Sequence, residues 1–162
     1  MSGVRLRPVV EEDVDLVFTW RNDPFIVALG SLQQTVTFDE HRAWFRQSLL
    51  DRNRLLFIIE AADENVGLVR FDRESESTAT ISAYLLERFT GKGYGPPAIR
   101  EGCNRAMQIW TIEKVIACVR EENRASQSGF RKAGFEREET LAACPSNHVC
   151  LSYNGNRRAR VE

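Results

Sequence analysis

Between a strand-like segment ending near Leu86 and a helix opening at Pro96, the chain reads Gly91-Lys92-Gly93-Tyr94-Gly95-Pro96-Pro97. Glycine at every second position interrupts any regular ladder or helix. It enters positive φ freely and lets its backbone approach a ligand closely. Proline is at home in the first turn of a helix, where its missing N–H is no loss. The loop therefore leads straight into a helix N-terminus, whose unpaired N–H groups and partial positive charge favour an anion. Pro96 and Pro97 cannot donate, so residues 91–95 must supply most of the donors, and Lys92 adds a full charge. The pattern suits phosphate; it also fits a strand-to-helix turn that holds no ligand.

The rest of the sequence narrows the choice of phosphate. The Gly-x-x-x-x-Gly-Lys-Ser/Thr loop of nucleotide triphosphatases is absent. Pro96 stands where the last glycine of a Gly-x-Gly-x-x-Gly dinucleotide fingerprint would fall. A chain of 162 residues makes one compact domain and is short for a full doubly wound fold. Its 22 Lys+Arg against 23 Asp+Glu, net −1, exclude a protein that wraps nucleic acid by gross charge. The charge is unevenly spread: residues 1–87 carry net −6 and residues 88–162 net +5, with the change of sign at the glycine loop. The apolar run Leu55–Ile59, which no other run exceeds, falls far short of the roughly 20 residues of a membrane span. Met1 to Arg5 offers no signal-peptide core, so a cytoplasmic location is expected. The four cysteines, Cys103, Cys118, Cys144 and Cys150, form no Cys-x-x-Cys pair and accompany only two histidines. No metal site is expected from that pattern. The thiols read as reduced packing residues, with a Cys144–Cys150 disulfide as the alternative.

Periodicity predicts one mixed α/β domain over residues 1–162. Val4 to Arg7 alternates like a half-buried strand. Glu11 to Asn22 has helical period with acids in its first turn, and Asp23-Pro24 ends it. Thr37-Phe38-Asp39-Glu40 has the form of a capping box and opens a helix to about Leu50. Strands follow at Leu55–Glu60, Val66–Asp72 and Thr78–Leu86. Their connections are too short for parallel crossovers, so they form a meander. A helix from Pro96 to Trp110, a strand at Val115–Val119 and a helix at Ala125–Ala133 come next. Gly134 supplies a left-handed stop. Phe135–Leu141 and Val149–Tyr153 read as a closing strand pair, and residues 154–162 as a frayed tail.

One short strand after the glycine loop lies Asn123-Arg-Ala-Ser126-Gln-Ser-Gly-Phe130-Arg-Lys132-Ala-Gly134-Phe135. With this segment the chain resembles the GNAT superfamily of acetyl-CoA-dependent N-acyltransferases. Gly91 to Gly95 resembles its pyrophosphate loop. Asn123, Ser126, Phe130, Lys132 and Gly134-Phe135 match its Asn-x-x-Ser-x-x-x-aromatic-x-Lys-x-Gly-Phe helix and turn. Arg5-Leu6-Arg7-Pro8 and Trp20-Arg21-Asn22-Asp23 resemble the opening of its ribosomal-protein and amino-sugar branches. His41-Arg-Ala-Trp44-Phe45 with Val69-Arg70-Phe71-Asp72 is similar to enzymes that acetylate the 4-amino group of nucleotide-linked sugars.

The resemblance implies an α+β fold: a mixed, mostly antiparallel, splayed sheet of about six to seven strands with about four helices. It implies acetyl-CoA as cofactor and direct acetyl transfer to a primary amine. Backbone from Tyr84 to Leu86 would bind the pantetheine arm like an added strand, and an N–H near Leu85 or Leu86 would polarise the thioester. Thr90, Gly91, Lys92, Gly93, Tyr94 and Gly95 would hold the phosphates, and Asn123, Ser126 and Phe130 would lie beside the arm and thiol. Two positions depart from the pattern. Thr90 replaces a common Arg or Gln, which Arg88 would have to replace in turn. Phe130 replaces a common Tyr that protonates the leaving thiolate, a task left to water, Ser126 or Ser128. His41 is the base best matched by pKa, with Tyr84 a further catalytic candidate. Arg21, His41 and Asp72 are candidates for holding the acceptor. The expected acceptor is a nucleotide-linked amino sugar, with a protein N-terminal amine as a rival and a non-catalytic acyl-CoA sensor as a rival of another class. The assembly is expected to be a monomer or homodimer with no nucleic-acid or membrane partner.

Overall fold

The computed structural model describes residues 3–30, 32–138 and 144–155. Its strands are β1 (Val4–Pro8), β2 (Arg54–Ala61), β3 (Glu64–Arg73), β4 (Thr78–Leu85), β5 (Lys114–Arg120), β6 (Glu136–Arg137) and β7 (His148–Tyr153). Its helices are α1 (Val14–Arg21), α2 (Pro24–Leu29), α3 (Phe38–Leu50), α4 (Gly95–Trp110) and α5 (Arg124–Ala133). The seven strands form one sheet in the order β1-β2-β3-β4-β5-β7-β6, antiparallel except for the β4–β5 pair. None of the described helices is long and apolar enough to cross a membrane.

Strand alternation explains the layering. Leu56, Ile58 and Leu68 point to one face, where they meet Val17 and Trp20 of α1 and Phe45 of α3. Phe57, Ile59, Val69 and Phe71 point to the other, where Ile99, Cys103 and Ala106 of α4 cover them. Both faces of the central strands are covered, which is why Leu56 to Ile59 is a continuous buried run instead of an alternating one. Two helix starts are fixed by side chains: Thr37 accepts from the Glu40 N–H, and Asn123 from the Ser126 N–H. Gly134 stops α5 at φ 112°.

The sequence reading differs from this fold at two places. Asp23-Pro24 ends α1 as expected but also starts α2: the Asp23 carboxylate accepts from the Phe25 N–H, and Pro24 occupies the first turn. The expected strand Phe135–Leu141 is described only as Glu136–Arg137, and its remainder lies partly outside the described residues. The expected tail, beyond Gly155, also lies outside them.

Candidate active site

The β4–β5 ladder is short. Thr78 to Ile81 pair with Lys114 to Ala117, yet β4 runs on to Leu85 and β5 to Arg120. Beyond Ile81 the two strands separate and leave a wedge. On its other side β4 stays paired with β3 through Gly67↔Leu85, and the Leu86 N–H donates to Val66 O at 2.9 Å. Antiparallel pairing alternates, so Tyr84 and Leu86 direct their peptide groups to β3 while Ala83 and Leu85 direct theirs into the wedge. The sequence left the thioester-polarising donor between Leu85 and Leu86. The structure commits the Leu86 N–H to β3, so the donor facing the wedge is Leu85.

The glycine loop closes the end of this wedge. Gly91 and Gly93 adopt φ of 76° and 81°, the left-handed region that glycine tolerates. Among the described residues, the N–H groups of Gly91, Lys92, Gly93 and Tyr94 have no acceptor, and no side chain caps α4. Lys92 is exposed and Tyr94 and Gly95 are half-buried. Four open N–H groups, a helix N-terminus and an ammonium together form an anion cradle. Thr90 is not part of that donor set, since its hydroxyl donates to Glu87 O at 2.7 Å and closes a 3-10 turn. Arg88 does not replace it, because its guanidinium lies over the Phe89 ring and reaches toward Glu64.

On α5, Asn123 spends its side-chain oxygen on the helix cap, and Ser126 is half-buried in the first turn. Phe130 is 4% exposed and packs edge-on against Phe135, with centroids 5.0 Å apart. It anchors α5 in the core.

The face of the sheet that carries α1, α2 and α3 holds the acceptor candidates, and two of them need correcting. His41, expected as base or acceptor ligand, is 1% exposed. It lies beneath α1, where Nε2 donates to Val14 O at 3.0 Å, and is ringed by Phe18, Trp44 and Phe45. Its helical position faces inward, because α3 buries the same stripe that holds Phe45 and Ser48. Asp72, expected to hold a substrate ammonium, has both oxygens engaged: Arg54 Nε donates to one at 2.6 Å and Arg70 Nε to the other at 2.8 Å. Arg21 is exposed at the end of α1. Tyr84 is half-buried with its ring edge-on to Trp20 at 6.3 Å. Burial pushes its hydroxyl pKa far up, and the nearby Arg21 offsets this in part.

The sequence reading missed Arg54 and the way Arg70 is used. The guanidiniums of Arg54 and Arg70 both lie against the Trp44 indole, 5.7 and 5.4 Å from its centroid, while sharing Asp72. Arg54 also donates to Ser48 Oγ at 2.9 Å. Two guanidiniums on one carboxylate leave a net positive charge. Among the described residues, neither Nη of Arg70 has an acceptor. In register, Arg70 lies opposite the exposed Ser82 of β4. The signal was present as Arg70-Phe71-Asp72, but the partner Arg54 belongs to another strand and only pairing brings it near.

The cysteine expectation is also corrected. Cys118 and Cys144 form a disulfide with Cα atoms 5.4 Å apart. The pair is 26 residues apart in sequence, so spacing alone could not reveal it. Cys103 and Cys150 remain thiols.

A family model described as an acetyltransferase (GNAT) domain matches residues 4–136. No curated protein sequence matches. Among solved structures, the chain superposes on aminoglycoside acetyltransferase AAC(6')-Ib in complex with coenzyme A with a TM-score of 0.82 at 19% identity, covering 97% of this chain and 98% of that one. The same enzyme with paromomycin and acetyl-CoA gives 0.83 at 20% identity, over 99% and 97%. Spermidine N-acetyltransferase from Vibrio cholerae with coenzyme A and spermine gives 0.82 at 18%, over 98% and 99%.

Proposed function

The chain belongs to the GNAT acetyltransferase family, and from that premise we propose that it transfers the acetyl group of acetyl-CoA to the primary amine of a sugar carrying a phosphate, as in a nucleotide-linked amino sugar. The cradle at Gly91 to Gly95 fits the coenzyme pyrophosphate, and the open Ala83 and Leu85 peptides fit its pantetheine amides. The Leu85 N–H, open to the wedge, would stabilise the charge that develops on the thioester oxygen. The free amine attacks the carbonyl carbon, a C–N bond forms, the C–S bond breaks, and the amine proton passes through water to the departing thiolate. A thiolate, far less basic than an alkoxide, is a tolerable leaving group. Rate enhancement then rests mainly on holding amine and thioester together.

The observation that carries the choice of acceptor is the Arg54–Asp72–Arg70 cluster on Trp44. An arginine with open Nη groups beside an aromatic face suits a phosphate next to a ring. A polycation of the kind bound by the structural neighbours would meet like charge there. The cluster outweighs the acidic total of residues 1–87, because unit charges act strongly only within about a Debye length of 8–10 Å.

The test is thiol release from acetyl-CoA with three acceptors: a nucleotide-linked amino sugar, an aminoglycoside and spermidine. The sugar nucleotide should give the highest kcat/KM, and Arg70→Ala should raise its KM with little change in kcat. Preference for either polycation would overturn the acceptor assignment. Preference for a peptide N-terminus would favour the protein-acetylating rival. Coenzyme binding without thiol release from any amine would favour a sensor.

A further inference from the structure

Three of the four cysteines converge although they are dispersed in sequence. The Sγ atoms of Cys118, Cys144 and Cys150 all lie within 4.8 Å of one another. Cys118 and Cys150 are directly opposed across the β5–β7 ladder. Cys144 arrives from the segment ahead of β7 and is bonded to Cys118. Cys103 takes no part, since it lies in the apolar cluster under α4. Cys118 alternates with the core-facing Ala117 and Val119 and shares its face with Arg120, which donates to Ala28 O of α2. The cluster is therefore on the acceptor side of the sheet, one residue past the point where β4 and β5 part. Cys144 and Cys150 line an open cavity of about 590 Å³, together with Ser146, His148 and Arg131.

We propose that, once the Cys118–Cys144 bond is reduced, Cys118, Cys144 and Cys150 hold one soft divalent cation of the zinc type as three thiolates, with a fourth position open to solvent from the cavity. Sulfurs bound tetrahedrally at about 2.3 Å from zinc sit about 3.8 Å apart. A group already within 4.8 Å needs only small adjustments to reach that geometry. Two of the donors are fixed by a strand ladder, and the third, Cys144, lies ahead of β7. All three ligands are thiolates, which selects a soft ion over magnesium or calcium.

The disulfide and the ion exclude each other. A dithiol reductant passes two electrons and two protons to Cys118 and Cys144 and is itself oxidised to a disulfide. The ion then displaces the thiol protons into solvent. Because thiols must lose their protons to bind, metal binding releases protons and tightens as pH rises. Occupancy follows the thiol redox state and changes the acceptor side of the wedge.

The test is anaerobic titration of the dithiol-reduced protein with cadmium as a zinc surrogate, reading the thiolate-to-cadmium charge-transfer band. The band should saturate at one ion per chain, and zinc should displace it. Cys150→Ser should retain two thirds of the intensity per bound ion, and the oxidised protein should give none. Melting temperature is followed in parallel: wild-type reduced protein should rise with the ion, and Cys150→Ser should rise less. Because Cys150 is half-exposed, its serine variant should fold; if it does not, Cys144→Ser takes its place. Absence of a saturating band in reduced wild type, or a band unchanged in the serine variant, would overturn the proposal.

Discussion

A Cβ placed on Gly67 would overlap the carbonyl oxygen of Tyr84 and come within 3.0 Å of Leu85 Cα. Gly67 is buried and pairs with Leu85, the residue whose other peptide edge faces the wedge. The bare glycine lets β3 and β4 approach closely where β4 must present its outer edge. Gly67→Ala forces backbone against backbone, which no rotamer change relieves. It should destabilise the fold by about 1–3 kcal/mol and also weaken coenzyme A binding, because β4 is displaced. Denaturant titration gives the first quantity and calorimetric titration with coenzyme A the second. A loss of stability with unchanged affinity would show that the β4 edge is not the pantetheine site.

Gly93 poses the opposite case. A Cβ there meets nothing within 4 Å, but φ is 81°. Alanine should cost about 1–2 kcal/mol through the left-handed conformation alone. Gly93→Asp adds a negative charge to the cradle formed by the Lys92 and Tyr94 N–H groups. It should leave the protein folded, with a melting point close to that of Gly93→Ala, yet weaken coenzyme A by at least about tenfold, or 1.4 kcal/mol. Equal affinity in the two variants would place the phosphates elsewhere.

These two glycines mark how far the sequence could be read. Gly93 belongs to a local pattern, and local patterns survived: the loop, the Thr37 cap and the Gly134 stop are where the residues put them. Gly67 is silent in sequence, since its role depends on which residue of another strand stands opposite. The same holds for Arg54 beside Arg70 and for Cys118 beside Cys150, which only strand pairing unites. His41 shows the converse error. Its chemistry suggested a base, but the helical stripe it shares with Phe45 and Ser48 points it inward. A helical wheel carries that signal, since residues 41, 45 and 48 share one face.

His41 sets a pH dependence of stability. Val14 O can only accept, so Nε2 carries the proton and Nδ1 is an acceptor without a partner. Burial lowers the folded-state pKa below 6.5, against the Val14 bond, with Arg21 lowering it further. The unfolded state therefore binds the proton first as pH falls. Stability is full above about pH 6.5 and declines as pH falls through the folded-state value. His41→Leu should cost about 1 kcal/mol at pH 8 through the lost hydrogen bond and flatten the decline below about pH 6.5. Urea titrations across that range measure both effects. An equally steep decline in the variant would assign the titration to another group. Because His41 is buried away from the wedge, the pH profile of kcat should keep its shape in this variant.

Tyr84 has the wrong proton affinity for proton transfer. Its burial pushes the hydroxyl well above its ordinary value of 10, so it does not ionise to serve as a base near neutral pH. Donation from so weak an acid to the departing thiolate runs uphill, and each pKa unit of mismatch is worth about 1.4 kcal/mol. Proton transfer by a well-matched group contributes roughly 100- to 10,000-fold. Tyr84→Phe removes the hydroxyl while keeping the ring against Trp20. It should lower kcat only a few-fold, far less than loss of an acid catalyst. The pH dependence of kcat/KM should then follow the ionisation of the acceptor amine, shifting when an amine of different pKa is supplied. A hundredfold fall in kcat for Tyr84→Phe, with loss of one limb of the pH profile, would instead make the hydroxyl a catalytic group despite its burial.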